Sequence, residues 1–311
     1  MKSSLPLQAS FLVPAQFTGS SALSFVDDFL EATCRTEVGW HYRFDLAWIY
    51  SQALSWPKGI RVLDAGGGYG PVQFLLYEMG FNVTNIDMVL RSPKREFREA
   101  YDLSFRELDS LKTNAYWQHL MELEKDAASR GRWLGRMRGL VRDGLRVGPF
   151  LRRQDQWRSR HSGPRGKLQW VAGNLVSMPE IADDFFDAVV SMSALEHIPL
   201  HELHGAVEEI RRVCRTDARW AVTTSGTDRK ETWFHKPSKG NCFSGDDVEK
   251  LFGATGLTLH DGEEVMREYR QCKYLKSHLA QFYAKGSENG MPWGKWDPQY
   301  LPIGLSMVYN G

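Results

Sequence analysis

The sequence has few cysteines, and they form no pattern. Cys34, Cys214, Cys242 and Cys272 are scattered along 311 residues, and no two of them make a CxxC pair. This spacing is not that of a zinc knuckle or of a cysteine-held iron–sulfur cluster, so we predict no metal site of these kinds. Scattered cysteines without a disulfide framework are typical of a reducing compartment, so we expect a cytoplasmic protein.

Long apolar runs are also missing. No stretch approaches the ~18 apolar residues that a membrane-spanning helix requires. The first residues, MKSSLPLQASFLVPAQF, contain one lysine and an apolar stretch that proline and glutamine interrupt, which is a poor signal peptide. We therefore expect neither a transmembrane segment nor a secretory leader.

The chain has almost no net charge, but its charges are uneven. The formal net charge is +1, whereas residues 130–167 contain twelve Lys and Arg against Asp143 and Asp155. A basic stretch with apolar residues between its arginines can bind a membrane surface, an anionic substrate or RNA. It can equally be a solvated face that pairs with the acidic remainder of the chain. The composition leaves these interpretations open.

A regular alternation of short apolar runs and helical patterns is present. It follows two predicted helices at 22–34 and 41–54, and it predicts a doubly wound, mostly parallel α/β sheet. The last two strands lack a convincing helical crossover between them, which favours an antiparallel last strand. The seven predicted strands are 60–64, 81–87, 168–172, 185–191, 219–224, 257–260 and 303–309.

Three segments interrupt this alternation, at 91–167, 225–243 and 261–302. In a doubly wound sheet they leave the strands at the edge where ligands bind. We therefore expect an α/β domain at 58–311 with a basic helical insertion at 91–167 and a cap-like insertion at 261–302, behind an N-terminal helical lid at 1–57. Aromatic residues of these insertions are candidates for an acceptor pocket, with ordinary packing as the alternative: Trp117, Trp233, Phe234, Tyr269, Tyr274, Trp293 and Trp296.

A glycine-rich loop joins the first predicted strand to a helix. The segment VLDAGGGYG places Asp64, Gly66, Gly68 and Gly70 in the pattern D-x-G-x-G-x-G, and glycines let a backbone approach a ligand closely. The dinucleotide pattern G-x-G-x-x-G fails at Pro71, and no Lys-Ser or Lys-Thr pair completes a phosphate loop. An acidic residue at the strand end repels a pyrophosphate and suits a ligand with a cationic end, such as S-adenosylmethionine.

Two further polar residues end neighbouring strands. Asp87 closes the second strand, where a carboxylate can accept both ribose hydroxyls. Asn174 follows the third strand and is placed to hydrogen-bond an adenine. Together with the loop, these residues predict a nucleoside site.

On these segments the sequence resembles the class I S-adenosylmethionine-dependent methyltransferases, especially the small-molecule branch that includes quinone-biosynthesis enzymes. VLDAGGGYG, NID, AGNLVSMP and FFDAVVSMSALEHIP carry the resemblance, over roughly residues 58–90 and 168–260. It implies a Rossmann-like fold with S-adenosylmethionine as cofactor. The implied cofactor residues are Asp64, Gly66, Gly68 and Gly70 for the methionine part, Asp87 for the ribose, Asn174 and Leu175 for the adenine, Ser191 near the methionine end, and Met88, which is assigned to no one part of the cofactor. Trp40, His41 and Tyr42 are placed to cover the cofactor.

Two departures bear on chemistry. Many relatives have Asp where Asn174 stands. Some relatives bind a divalent metal through E-x-x-E-H, but Ser193 occupies the first position before Glu196 and His197, so no metal is predicted. The segment after the fourth strand also lacks the N-P-P pattern of enzymes that methylate exocyclic amines of nucleic-acid bases, which makes a nucleic-acid substrate less favoured.

Methyl transfer to a hydroxyl requires a base to take the proton. His197, after the fourth strand, and His235, in a polar and aromatic loop, are the candidates, with a bracing role or a surface position as the respective alternatives. We expect a methyltransferase acting on a small-molecule or lipid-linked acceptor, at oxygen, with an anionic or membrane-associated acceptor as one form of this. The alternatives are an RNA or protein methyltransferase docking through the Arg-rich insertion, and a non-catalytic cofactor-binding subunit. The sequence predicts no oligomeric state.

Overall fold

The computed structural model describes residues 6–90, 93, 95–113, 118–119, 121–122, 133–285, 291 and 295–307. The strands are β1 (Leu7–Phe11), β2 (Arg61–Ala65), β3 (Asn82–Asp87), β4 (Ser104–Glu107), β5 (Lys167–Ala172), β6 (Phe186–Met192), β7 (Cys214–Gly226), β8 (Trp233–His235), β9 (Gly240–Cys242), β10 (Ala254–Thr255) and β11 (Leu301–Met307). The helices are α1 (Pro14–Phe17), α2 (Ser21–Ala32), α3 (Tyr42–Ala53), α4 (Val72–Glu78), α5 (Arg95–Tyr101), α6 (Trp133–Arg160), α7 (Leu200–Val213), α8 (Gly245–Phe252), α9 (Leu259–Gln271) and α10 (Lys273–Ser277).

The central sheet has the order β10-β1-β11-β7-β6-β2-β3-β5-β4 in the described part of the chain. Strands β4, β5, β3, β2, β6 and β7 are parallel. Strand β11 runs antiparallel to β7 and to β1. The predicted doubly wound, mostly parallel sheet with an antiparallel last strand is therefore confirmed, with nine strands where we predicted seven.

The additional strands have weak sequence signals. Strand β1 alternates buried and exposed residues over five positions, and it lies in the segment that we predict as part of a helical lid. Strand β4 is a four-residue edge strand with three exposed residues, so it shows no apolar pattern. The N-terminal segment is thus part of the sheet through β1, while α2 and α3 follow as predicted.

The predicted strand at 257–260 is wrong. The hydroxyl of Thr258 accepts a hydrogen bond from the Asp261 backbone N–H at 3.2 Å, which caps α9 at this point. The strand is instead the two-residue β10, which pairs with β1. The capping pattern at Thr258 outweighs the short apolar run because N-terminal caps contribute about 1 kcal/mol to a helix.

Helix α6 forms most of the described part of the basic insertion, and its second half packs onto the core. Trp157 is buried against Phe25 and Phe29, and Arg158 lies 2.6 Å from the carboxylate of Glu78. At these positions the insertion pairs with acidic and apolar parts of the domain. No helix in the described part of the chain has both the length and the apolar character needed to cross a bilayer.

Gly166 marks a close backbone approach at the start of β5. A Cβ atom there would lie 1.7 Å from the carbonyl oxygen of Phe81, so the two backbones would have to separate. We expect Gly166→Ala to destabilise the protein by more than the ~0.5–3 kcal/mol of an ordinary substitution. Chemical denaturation measures this, with Gly163→Ala as the control because no atom lies within 4 Å of its Cβ position. Equal stability of the two variants would contradict the close approach.

Candidate functional site

The glycine loop leaves β2 at the carboxyl edge of the sheet. Gly66 and Gly68 have φ values of +76° and +48°, which favour glycine over residues with side chains. A Cβ atom on Gly66 would also lie 2.8 Å from that of Ala194. The loop therefore requires glycine for its conformation and for its contact with the segment after β6.

Three side chains that the sequence analysis did not select hold this loop in place. Asn85 Nδ2 donates to the carbonyl of Gly68 at 2.8 Å, and Gln73 Nε2 donates to the same carbonyl at 3.1 Å. The indole of Trp170 donates to the Gln73 amide oxygen. Asn85 lies two residues before Asp87 in β3, and its polar side chain inside a buried strand is the signal that could have identified it.

The carboxylate of Asp64 lies beneath this loop. A Cβ atom on Gly67 would be 2.0 Å from Asp64 Oδ2, so the loop backbone rests directly on the carboxylate. Asp64 is fully buried, and neither of its oxygens has a hydrogen-bond partner among the described residues. Burial raises the pKa of Asp64, and the charge of Asp87 raises it further. Since buried polar groups are normally satisfied, a buried carboxylate without a partner among the described residues marks this position as one that a donor or cation could occupy.

A cavity of about 480 Å³ opens above the loop. Six predicted cofactor residues line it, while Asp64, Gly68 and Ser191 do not belong to its wall. The six are Gly66, Gly70, Asp87, Met88, Asn174 and Leu175. The volume is within the range of small-ligand pockets, about 300–1,000 Å³. The fold thus brings residues from the ends of β2, β3, β5 and β6 to one cavity.

The polar residues at this cavity have defined partners. Asp87 Oδ1 accepts from the Val89 N–H at 2.8 Å, and Asn174 Oδ1 accepts from the Val176 N–H at 3.0 Å. Both bonds fix the side chain at its strand end. The hydroxyl of Ser191 donates to the carbonyl of Ala65 at 2.8 Å, so this side chain joins β6 to β2 instead of facing the cavity.

Two further cavities adjoin the first. One of about 310 Å³ shares Tyr42, Ser193 and His197 with it. The other, of about 990 Å³, shares Tyr42 and Gly70 with it. The side chain of Tyr42, at the start of α3, therefore lies where all three cavities meet. That Trp40, His41 and Tyr42 cover the cofactor stays a prediction.

The aromatic residues that line the 990 Å³ cavity are not those that we predicted for an acceptor pocket. Tyr69, Phe97, Phe150, Trp170 and Phe282 line the largest cavity. The predicted aromatic residues that the structure describes do not line these three cavities. They are Trp233, Phe234, Tyr269, Tyr274 and Trp296. Two further predicted residues, Trp117 and Trp293, lie outside the described residues. Trp296 instead supports the cap, because its indole N–H donates to the backbone carbonyl of Tyr269 in α9 at 3.0 Å.

The two predicted catalytic histidines have different positions. His197 lines both smaller cavities, and its Nδ1 lies 3.0 Å from the carbonyl oxygen of Lys239. His235 is buried outside the walls of the described cavities, with Nδ1 2.7 Å from the hydroxyl of Ser238. Burial lowers the pKa of His235. The structure thus brings His197 to the site and places His235 behind it.

A third histidine, His41, reaches the site. It precedes α3, lines the 310 Å³ cavity, and its Nδ1 contacts both carboxylate oxygens of Asp45, at 3.0 and 2.9 Å. The two residues are four apart, on the same face of a helix start. That spacing in HYRFD is the signal from which the sequence analysis could have derived the pair.

Comparison with known proteins gives one family and a set of distant structures. A family model described as a methyltransferase domain matches residues 40–261. No curated protein matches the sequence.

Three solved structures illustrate the likeness. The 1,6-didemethyltoxoflavin-N1-methyltransferase of Burkholderia thailandensis is 13% identical with a TM-score of 0.42, over 98% of this chain and 94% of that one. The magnesium protoporphyrin IX methyltransferase of Synechocystis PCC 6803 is 11% identical with a TM-score of 0.39, over 90% and 84%. The 4+2 cyclase SpnF is 15% identical with a TM-score of 0.45, over 89% and 85%. The assignment of the chain rests on the family match.

Proposed function

We propose that the chain, which belongs to the methyltransferase-domain family, uses S-adenosylmethionine as its methyl donor and methylates an oxygen atom of a small-molecule acceptor. One observation carries the proposal of the cofactor site. The unpartnered, buried Asp64 carboxylate lies under a glycine loop that forms the floor of a 480 Å³ cavity. A ligand with a cationic amino-acid end and no phosphate matches this floor, because the carboxylate attracts cations and repels phosphates.

The remaining predicted residues fit the other parts of the ligand. Asp87 Oδ1 accepts from the Val89 N–H, and a carboxylate can accept several hydrogen bonds at once, those of ribose hydroxyls among them. The Oδ1 atom of Asn174 accepts from the Val176 N–H, so its Nδ2 is the group that can donate to an adenine nitrogen. Leu175 and Met88 supply apolar contact beside them. Ser191 acts by holding β6 against β2, which places the next residues, Met192 and Ser193, at the cavity wall.

S-adenosylmethionine supplies a methyl group on a sulfonium, which is a good leaving group. The protein has to align the acceptor with that group and exclude water. The adjoining cavities provide room for the acceptor on the side of Tyr42, and the larger one combines aromatic walls with Arg35 and Arg153. Because Glu37 and Glu96 also line this cavity, its charges of the two signs are matched in number, and the lining supports a partly apolar organic acceptor with polar groups. His197 is the predicted base that lines this region.

Docking of RNA or protein through the Arg-rich insertion stays an alternative, without specific support from the side chains that the structure describes. Trp157 and Arg158 bind within the domain, and the side chains of residues 130–146 are not among those described. We also propose a cytoplasmic location, from the sequence composition alone.

Calorimetric titration with S-adenosylmethionine, S-adenosylhomocysteine and NAD tests the proposal. We expect micromolar binding of both sulfur nucleotides and no binding of NAD. Binding of NAD, or failure to bind either sulfur nucleotide, would overturn the cofactor assignment. Binding without methylation of any acceptor would support the non-catalytic subunit instead.

Replacing Asp87 with Ala should weaken the binding of S-adenosylhomocysteine by roughly tenfold or more, since a hydrogen bond to a charged group contributes ~1.5–3 kcal/mol. Titration calorimetry measures the change. Asp217→Ala is the matched control because Asp217 is an exposed strand aspartate, paired with Arg215. An Asp87→Ala protein that binds as tightly as the control would remove the ribose assignment.

A further inference from the structure

The start of α3 contains a buried imidazole–carboxylate pair. His41 is 1% exposed and Asp45 is fully buried, and His41 Nδ1 lies 2.9 Å from Asp45 Oδ2. Neither residue belongs to the predicted catalytic set. A buried pair of this kind is costly to maintain unless its hydrogen bonds are complete, so its partners decide what it can do.

The hydrogen-bond partners of Asp45 fix the state of the imidazole. Its carboxylate also accepts from the hydroxyl of Ser193 at 3.0 Å and from that of Thr223 at 3.2 Å. A carboxylate surrounded by donors acts only as an acceptor, so Nδ1 of His41 carries the ring hydrogen. The Nε2 atom is then the nitrogen with a free lone pair.

His41 borders the 310 Å³ cavity that adjoins the cofactor cavity. Its Nδ1 is directed to Asp45, and no hydrogen bond to Nε2 is formed by the residues that the structure describes, so Nε2 is the nitrogen available to a ligand. The rings of Trp40 and Tyr300 pack edge-on against the imidazole at 4.7 and 5.6 Å between centroids. These contacts hold the ring plane and limit the access of water.

The other titratable groups at this cavity are less suited to take a proton. Burial raises the pKa of Tyr42, of Tyr283 (to about 12) and of Tyr300, so these phenols keep their protons near neutral pH. Glu196 accepts hydrogen bonds from Thr224 and Ser225 at 2.9 and 3.1 Å, which engage both its oxygens.

His197 is the remaining rival. Its Nδ1 contacts a neutral carbonyl, that of Lys239, whereas Asp45 places a negative charge behind His41. A hydrogen bond to a carboxylate is stronger than one to a neutral carbonyl, so the ring of His41 is the more firmly oriented of the two, and this favours His41.

We infer that His41 is the general base for the proposed methyl transfer and that Asp45 is its positioning residue; the inference rests on the proposed function. The acceptor is a hydroxyl, and its oxygen lies in the 310 Å³ cavity. As that oxygen bonds to the methyl carbon, the carbon–sulfur bond breaks and its electron pair stays on sulfur. The hydroxyl proton passes to His41 Nε2, and the imidazolium later releases it to water.

A first experiment needs no acceptor. The nitrogen NMR spectrum of histidine-labelled full-length protein, saturated with S-adenosylhomocysteine, reports the tautomer of each histidine, and loss of one signal in His41→Gln identifies His41. We expect the Nδ1–H tautomer, and a shift of the population towards Nε2–H in Asp45→Asn. An Nε2–H tautomer in the unmodified protein would overturn the inference, because that nitrogen could not accept a proton.

A second experiment measures transfer of tritiated methyl groups to phenols of graded acidity. We expect His41→Gln to lower kcat by roughly 10²–10⁴-fold, the usual contribution of a general base, with KM little changed. The loss should shrink for the most acidic phenols, which ionise without help. His161→Gln, a variant of the histidine that stacks on Trp157 away from the site, is the control.

The outcomes of the two experiments separate the two claims. An unchanged kcat in His41→Gln, or a larger loss in His197→Gln, would overturn the role of His41 and leave the methyltransferase proposal intact. Absence of calorimetric binding of S-adenosylmethionine would overturn the proposed function, whatever the tautomer. If no phenol is methylated, the tautomer alone decides whether His41 can act as a base.

Discussion

Replacing Asp64 with Asn should stabilise the ligand-free protein near neutral pH and weaken the binding of S-adenosylmethionine. Asp64 is buried, and neither of its oxygens has a partner among the described residues. Its charge therefore lowers the stability of the ligand-free protein. The same charge is the proposed partner of the cofactor ammonium. We expect affinity to fall roughly tenfold or more, because hydrogen bonds to charged groups contribute ~1.5–3 kcal/mol.

The pH dependence has a defined sign. Burial, and then the charge of Asp87, raises the pKa of Asp64 above its ordinary value of 3.8, so the folded state holds this proton more tightly than the unfolded state. The contribution of Asp64 to stability is therefore present below pH 3.8 and is lost as the pH rises through the folded pKa. Asn cannot titrate, so the advantage of Asp64→Asn should grow across that window and then become constant.

Thermal unfolding without ligand, measured from about pH 4 to about pH 8, together with calorimetry, checks both effects. Asp187→Asn is the matched control on the neighbouring strand β6. Partial burial opposes the ionisation of Asp187, but hydrogen bonds from Arg61 outweigh it and lower the pKa, so this variant should lose stability near neutral pH and keep its affinity for the cofactor. A loss of stability in Asp64→Asn with unchanged affinity would contradict the assignment of Asp64.

The cofactor side of the site could be predicted because it depends on local sequence. The loop VLDAGGGYG and the strand-end residues Asp87 and Asn174 lie within short segments, and parallel strands bring their carboxyl ends to one edge. The residues that hold the loop in place are harder to predict from the sequence. Gln73 faces the loop from the first turn of α4, and its link to Trp170 joins positions 97 residues apart, which periodicity cannot show.

The acceptor side could be predicted only in part, because His41 and Asp45 are close in sequence but the other partners of Asp45 are not. His41, Ser193 and Thr223 meet at Asp45 from three separate parts of the chain, and only the packing of α3 across β6 and β7 brings them together. In the sequence analysis, Ser193 stands at the position where metal-binding relatives have the first Glu of the E-x-x-E-H pattern. In the structure its hydroxyl binds Asp45, so the position that departs from the metal-binding pattern contributes to a proton-accepting arrangement.

The strand count illustrates a different limit. Strand β4 pairs with β5 at the sheet edge through Ser104–Glu107, where side chains are mostly exposed and no apolar pattern is required. Strand β1 pairs with β11 near the other edge of the sheet. A pattern of five residues is too short to distinguish a strand from an irregular apolar segment. Edge positions are determined by pairing, and a single sequence carries little information on pairing.

Gly67→Ala should weaken cofactor binding by about a hundredfold through its contact with Asp64. The new Cβ would lie 2.0 Å from Asp64 Oδ2 and 2.7 Å from Oδ1, so either the carboxylate or the loop backbone must move. Movement of either one separates the ammonium partner from the loop that positions the ligand, and misplacement by ~1 Å is enough to cost about a hundredfold in a preorganised site. Calorimetry with S-adenosylhomocysteine measures the loss. Gly148→Ala in α6 is the control, because no atom lies within 4 Å of its Cβ position.

A double-mutant cycle identifies the cause of this effect. In Asp64→Ala the space beneath residue 67 is vacated, so adding Gly67→Ala should cost much less stability there than in the unmodified protein. Contacting residues typically show interaction energies of about 0.5–3 kcal/mol in such cycles, and denaturant unfolding of the four proteins gives the value. Strictly additive losses would mean that residue 67 does not rest on Asp64, and the floor of the proposed cofactor site would then require a different partner for the Asp64 charge.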